Sequence, residues 1–250
     1  MIHSGLVSIT FRQLSPQEII DLVTQAGLEG IEWGGDVHAP HGDVARARQV
    51  RQWTEDAGLV TPSYGSYYRV NSEDSPPFEA VLDSAVALGA PIVRVWAGKI
   101  GSDQADEQFR HAVVDESRRI ADLAQQANVI VAYEFHGNTL TDTNESALQL
   151  LQEVDHPNVK TYWQPMRAAE EQYRLDGLRA VLPWLTYLHV FSWEQDGSRL
   201  PLAADHRQWQ ERIEIVQGTG HEHYALIEFV QDNAPEAFLD DAATLKQWLI

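Results

Sequence analysis

The amino-acid sequence predicts an α/β protein folded as one closed barrel of eight parallel strands, each followed by a helix. Two observations carry that expectation. Short β-branched and aromatic runs alternate with helical apolar stripes about every thirty residues along the 250-residue chain, the usual repeat and length of such a barrel. The strand runs are apolar at nearly every position rather than at alternate ones, as parallel strands covered on both faces are. No linker or composition break divides the chain, so residues 1–250 read as a single domain.

The elements follow in order. GLVSITF (5–11) reads as the first strand. In SPQEIIDLVTQAG (15–27) Ser15 caps a helix, Pro16 takes its first position, Glu18 completes a capping box and Gly27 stops it. GIEWGG (30–35) is the second strand, followed by a helix over 44–57 that Gly58 ends and by LVTPSYGSYYRV (59–70). A helix over 77–88 stops at Gly89 and leads to PIVRVWAG (91–98). A long helix over 106–127 precedes NVIVAYEFHGNT (128–139), and a shorter one over 145–153 precedes VKTYWQP (159–165). A helix over 177–183, LTYLHVFSW (185–193), a helix over 206–217, HYALIEFV (223–230) and a helix over 235–248 complete eight units. That is the pattern of a (β/α)8 TIM barrel. The main competitor is an open doubly wound sheet, but no glycine-rich phosphate loop follows the first strand, where SITFRQLSP stands.

Composition narrows the function. Cysteine is absent, which excludes a disulfide framework and a thiolate zinc site. The N-terminus lacks the basic start and apolar stretch of a signal peptide, and no run approaches the roughly 18 apolar residues of a membrane span. A soluble, cytoplasmic protein without a membrane partner is expected. The net charge of −19, from 37 acidic and 18 basic residues, leaves no basic stripe for a nucleic-acid partner.

Four strand runs end in a polar residue: Glu134 after VIVAY, Gln164 after VKTYW, His189 after LTYL and Glu228 after YALI. A buried strand that ends in a charge needs a partner or a metal. Taken singly, each has a plainer account, such as a hydrogen-bonded core histidine or a glutamate paired with Arg94. Taken together at the ends of strands five to eight, they would meet in one mouth.

This set resembles the xylose-isomerase-like TIM barrels, the sugar and sugar-phosphate isomerases and epimerases. Glu134 in YEFHGNT is similar to that family's fifth-strand glutamate, His189 in LHVFSW to its seventh-strand histidine and Glu228 in LIEFV to its terminal glutamate. GLVSITF and GIEWGG, with Glu32, resemble its opening. The resemblance implies one divalent metal ion held by Glu134, Gln164, His189 and Glu228. Gln164 departs from the usual aspartate, so the ion would be held less tightly, and Gln164→Asp would tighten it. Oxygen donors with one nitrogen and no sulfur favour Mn²⁺, with Mg²⁺, Co²⁺ or Zn²⁺ as alternatives.

The implied activity is isomerisation or epimerisation of a small sugar or sugar derivative. A metal contact to a carbonyl and its neighbouring hydroxyl acidifies the adjacent C–H and stabilises the enediolate. Carried over, Glu134 and Glu228 are the catalytic acid–base pair. His136, Trp96, Trp193 and Glu32 are the expected contacts to a small-molecule sugar or polyol, while Glu32 has an ion pair as its alternative. Trp33 and Trp163 also fall at strand ends, where rim packing is as good an account. Leu140, Arg167 and Gln195 stand where the family's ketohexose epimerases carry a glutamate, a histidine and an arginine, so that substrate is not supported. Arg167 and Lys99 could instead read a phosphate or carboxylate. His38 and His41 form an HxxH, but Pro40 between them argues for a loop rather than zinc. His206 reads as a helix-start residue.

Three rivals remain. A dehydratase would begin with the same proton abstraction and lose water. A barrel that only binds a sugar or a partner would lack metal. An apurinic-site endonuclease needs further histidines, and Arg167 stands at one of their places. The family resemblance also leaves a homo-oligomer open.

Overall fold

The strand runs pair as their apolar pattern requires. In the computed structural model, which describes residues 1–167 and 169–250, eight strands close into one parallel ring. These are β1 (Ile2–Val7), β2 (Gly30–Gly34), β3 (Tyr64–Arg69), β4 (Ile92–Trp96), β5 (Ile130–Tyr133), β6 (Val159–Trp163), β7 (Leu185–Val190) and β10 (His223–Ile227). The last strand shuts the ring on the first, with Ile2 opposite His223 and Leu6 opposite Ile227. After β7 the chain makes a small antiparallel hairpin of β8 (Ser192–Trp193) and β9 (Arg199–Leu200).

Eight helices form the outer layer: α1 (Pro16–Ala26), α2 (Val44–Asp56), α3 (Phe78–Leu88), α4 (Glu107–Gln126), α5 (Asn144–Val154), α6 (Glu171–Val181), α7 (His206–Gln217) and α8 (Pro235–Trp248). At α1 the capping box forms as read, with Ser15 N donating to Glu18 Oε2 at 2.7 Å and Glu18 N donating to Ser15 Oγ at 3.4 Å. Gly27 ends that helix at φ 66°, a left-handed conformation that costs a side-chain-bearing residue energy. Among the described residues no helix is long and apolar enough to cross a membrane.

Two apolar layers follow from strand alternation. Outward side chains pack against the helices in one large core. Inward ones, including Ile92, Ala132, Tyr162, Tyr187 and Leu226, fill the barrel itself. The lumen is therefore plugged, and the polar strand ends lie above the plug.

Three boundaries differ from the sequence reading. Helix α6 begins at Glu171 rather than near Gly177, which lies inside it. A Cβ at Gly177 would stand 1.9 Å from Asn144 Oδ1, so this glycine serves the close approach of α5 and α6 and not a helix start. Regular β3 starts at Tyr64, since Pro62 has no N–H to give to a ladder. Trp193 belongs to the hairpin and not to β7.

Candidate active site

Inward alternation decides where the polar strand ends go. Continuing the lumen stripes by two residues from Ala132, Tyr162, Tyr187 and Leu226 gives Glu134, Gln164, His189 and Glu228. All four meet directly above the aromatic plug, where the His189 ring stands edge-on to Tyr162 at 5.0 Å. His189 Nδ1 lies 2.9 Å from Gln164 Oε1, 3.4 Å from Glu228 Oε2 and 3.5 Å from Glu134 Oε1. Ligand atoms about 3 Å apart are what an octahedral ion with bonds near 2.1 Å requires. Glu134, His189 and Glu228 form a buried group able to hold a metal ion, and Gln164 offers its carbonyl oxygen beside them. Its amide nitrogen donates to Phe135 O at 2.6 Å, which turns that oxygen toward His189.

Charge makes the same point. Glu32, Glu134 and Glu228 are buried carboxylates and Arg94 is the buried guanidinium among them. With His189 neutral, as a metal ligand is, three negative charges against one positive leave a deficit of two, which a divalent cation would cancel; without the ion a protonated His189 fills part of it. Burial alone would raise the Glu134 carboxyl, but the Arg94 charge and then His189 hold it well below the ordinary carboxylate range. Burial and Arg94 compete in the same way at Glu32, where the outcome is a pKa of about 2. At His189 burial acts to lower the pKa, yet Glu228, Glu134 and Glu32 override it and hold it well above its usual value. The donor set and its charge fit a divalent metal.

Above the cluster opens a cavity of about 620 Å³ whose wall includes Arg12, Tyr67, Arg94, Trp96, His136 and Trp193. Of the expected substrate contacts, His136, Trp96 and Trp193 line it. Trp96 also donates its indole N–H to Glu134 Oε2 at 2.6 Å and stacks on His136 at 4.5 Å, so it orients a ligand as well. Glu32 does not reach the cavity. It is fully buried in β2, accepts from Arg94 Nε and Ser63 Oγ at 2.7 Å each, and faces His189 Nε2 at 3.8 Å. The expected substrate contact is thus an ion pair with a strand arginine.

The remaining expectations sort by burial. Trp33 and Trp163 are sealed against the helices, the first donating to Thr54 and the second lying edge-on to Trp209. Arg167 lines the cavity, whereas Lys99 faces Asp74 at 3.5 Å. His38 bonds to Ser8 Oγ and Leu14 O, and His41 to Gly35 O, so HxxH is loop packing. His206 sits at the start of α7 and accepts from Trp248 Nε1.

Sequence reasoning missed Arg94 and Tyr67 as site residues. An arginine alone in PIVRVWAG carries the same signal as the strand-end glutamates, a charge in an apolar strand. Tyr67 gives no such sign, because a backbone irregularity in β3 creates its position.

The family model for the xylose isomerase-like TIM barrel matches residues 20–248. The chain belongs to that family. A 3-dehydroshikimate dehydratase from Bacillus anthracis is 29% identical over 264 aligned residues, covering 93% of this chain and 92% of the relative. The crystal structure of a probable 3-DHS dehydratase involved in petrobactin synthesis in the same organism superposes with a TM-score of 0.81. It is 25% identical, covering 98% of this chain and 99% of that one. A 3-keto-D-glucoside 4-epimerase from E. coli superposes with a TM-score of 0.75 at 16% identity, over 99% of both chains, a likeness of fold alone.

Proposed function

We propose that the protein is a divalent-metal-dependent dehydratase of a cyclic hydroxy-keto acid of the 3-dehydroshikimate type. The observation that carries this reading is a cavity that joins an acidic, metal-fitting floor to three arginines, Arg12, Arg94 and Arg167, in a chain of net charge −19. Against that background, cationic groups lining one cavity favour a substrate with a carboxylate, Arg167 most directly, since Arg12 is paired with Asp36 and Arg94 with Glu32 and Glu134. The whole-length relationship to a dehydratase supports the same choice. Of the activities expected from sequence, loss of water thereby moves ahead of isomerisation and epimerisation.

The residues divide the work by position. Glu134, Gln164, His189 and Glu228 would hold one ion, manganese by preference. When bound, that ion supplies a Lewis acid that polarises a carbonyl and acidifies the C–H beside it. Glu228, free of Arg94, is the better placed of the two carboxylates to take that proton, because Glu134 is engaged by Arg94 and Trp96. His136 donates from Nδ1 to Gly137 O at 2.7 Å, which fixes a tautomer with Nε2 as acceptor for a substrate hydroxyl. Trp193 and Trp96 cover the faces of a flat ring, and the apolar plug below keeps water from entering through the lumen.

The test is direct. Protein reconstituted with Mn²⁺ is incubated with 3-dehydroshikimate, and the aromatic product of water loss, 3,4-dihydroxybenzoate, is followed by its ultraviolet absorbance. Turnover that stops on chelation is expected. No aromatic product, with solvent deuterium entering ketoses instead, would return the protein to the isomerases and epimerases.

A further inference from the structure

Tyr67 stands out in this cavity for a reason unconnected with the metal cluster. Its φ is 56°, in the left-handed region, where a bulky aromatic residue is a strained outlier. The strain has a visible cause. Pairing of β3 with β4 slips between Gly65 and Tyr68, and Ser66 pins the irregularity by donating to Arg94 O at 2.6 Å while accepting from Tyr68 N at 3.2 Å. Such a bulge re-aims a side chain, and here it sends Tyr67 to the cavity wall. The phenol oxygen is buried yet has no hydrogen-bond partner among the described residues. Beside it, with the guanidinium carbon 5.2 Å from the Tyr67 ring centre, Arg94 leaves its own buried Nη2 without a partner. Gly65 makes that arrangement feasible, since a Cβ there would lie 2.6 Å from Nη2. Both residues line the cavity and each keeps a buried donor without a partner, one of them on a strained backbone, which suits an oxygen atom that is not part of the protein.

We propose that Tyr67, backed by Arg94 Nη2, is a catalytic residue that binds the departing hydroxyl and gives it a proton. The proposal rests on the dehydratase reading. A base on the floor takes the proton from the carbon beside the carbonyl, and the electrons left behind form the new C=C bond. The C–O bond one carbon further along breaks, its oxygen keeps the bonding pair, and the Tyr67 proton converts it to water. The phenolate recovers a proton from solvent after release, so the net change is loss of one water molecule. Epimerisation has no leaving group and makes no use of such a donor.

The experiment separates proton abstraction from water loss. With Mn²⁺ and 3-dehydroshikimate in D₂O, Tyr67→Phe should form 3,4-dihydroxybenzoate at least about 100-fold more slowly than the unaltered protein. Substrate recovered from that reaction should carry deuterium beside the carbonyl. An analogue with fluoride in place of the departing hydroxyl needs no proton to leave, and Tyr67→Phe should eliminate it at close to the unaltered rate. Affinity for 3,4-dihydroxybenzoate, which lacks the departing oxygen, should not change. Should Tyr67→Phe fail to fold, Tyr67→Asn serves instead, because asparagine tolerates a positive φ, and the same pattern is expected. Dehydration by either variant at the unaltered rate overturns the proposal, as does parallel loss of deuterium exchange and of fluoride elimination. An unaltered protein that neither exchanges nor dehydrates overturns the dehydratase reading itself, and this proposal with it.

Discussion

Strands β5, β6, β7 and β10 end in side chains that can donate to a cation, whereas β3 and β4 carry Tyr67, Arg94 and Trp96 to the same mouth, with Glu32 of β2 buried behind Arg94. The two halves differ in charge logic. The donor half gathers two carboxylates around a histidine and is stable when something positive sits among them. The other half supplies a permanent positive charge, Arg94, and a carboxylate, Glu32, that fixes it. Arg94 Nη1 also donates to Glu134 Oε2, so one guanidinium joins the halves. Metal binding and folding stability are thereby tied through a single side chain, which mutations on either side can separate.

The largest effect is expected on the donor side. Glu134→Gln and Glu228→Gln should each lower turnover by about 10³-fold or more, since on the proposed reading each removes a carboxylate that would both bind the ion and exchange protons. They should differ in stability. Glu134→Gln takes away a hydrogen-bonded partner of a buried arginine, whereas Glu228→Gln loosens only the contact with His189, so the former should lower the denaturant midpoint of metal-free protein further. Equal midpoints would mean that Arg94 does not link the halves, and full turnover in either variant would remove the carboxylates from the chemistry.

Arg94→Met attacks the comparison from the other side. It strands Glu32 in a site with no other guanidinium hydrogen-bonded to it, and breaking a buried ion pair by removing one partner costs about 3–5 kcal/mol. Adding Glu32→Gln should recover a substantial part of that loss, because the stranded charge is then gone. A double variant no more stable than Arg94→Met would indicate that lost packing, not an unpaired charge, is responsible. Urea titration of the three variants decides this.

How much of this was legible in the sequence follows from the same division. The closed barrel was readable because parallel strands advertise themselves by unbroken apolar runs, and the convergence of Glu134, Gln164, His189 and Glu228 because each interrupts such a run at its end. Glu32 was visible as a charge, but its role was not, since its partner Arg94 is 62 residues away and pairing across strands leaves no local trace. Tyr67 was invisible for a deeper reason. Its importance lies in a register slip against β4, and YGSYYRV contains nothing that announces a bulge. Gly177 misled, because a glycine that lets two helices touch is written the same way as one that begins or ends a helix.

A third buried carboxylate gauges what Arg94 contributes. Asp241 in α8 is 4% exposed and accepts from Leu202 N at 2.7 Å, but its charged neighbour is Asp240 rather than an arginine. Burial therefore prevails and raises its pKa to about 6, opposite in direction to Glu32. A carboxyl whose folded pKa lies above its unfolded value binds protons preferentially in the native state. Its contribution is fully present below the unfolded value of 3.8 and is lost as pH rises through about 6. Asp241→Asn keeps an oxygen to accept from Leu202 and carries no charge to bury. The variant should match the unaltered protein in acid and exceed it by about 1 kcal/mol at pH 7.5, a modest gain because part of the shift is screened. Unfolding curves for both proteins at pH 4 and 7.5 measure it, since the change runs between 3.8 and about 6. A difference that does not grow with pH would show that the Leu202 hydrogen bond, and not burial, governs Asp241, and the contrast with Glu32 would then owe less to Arg94.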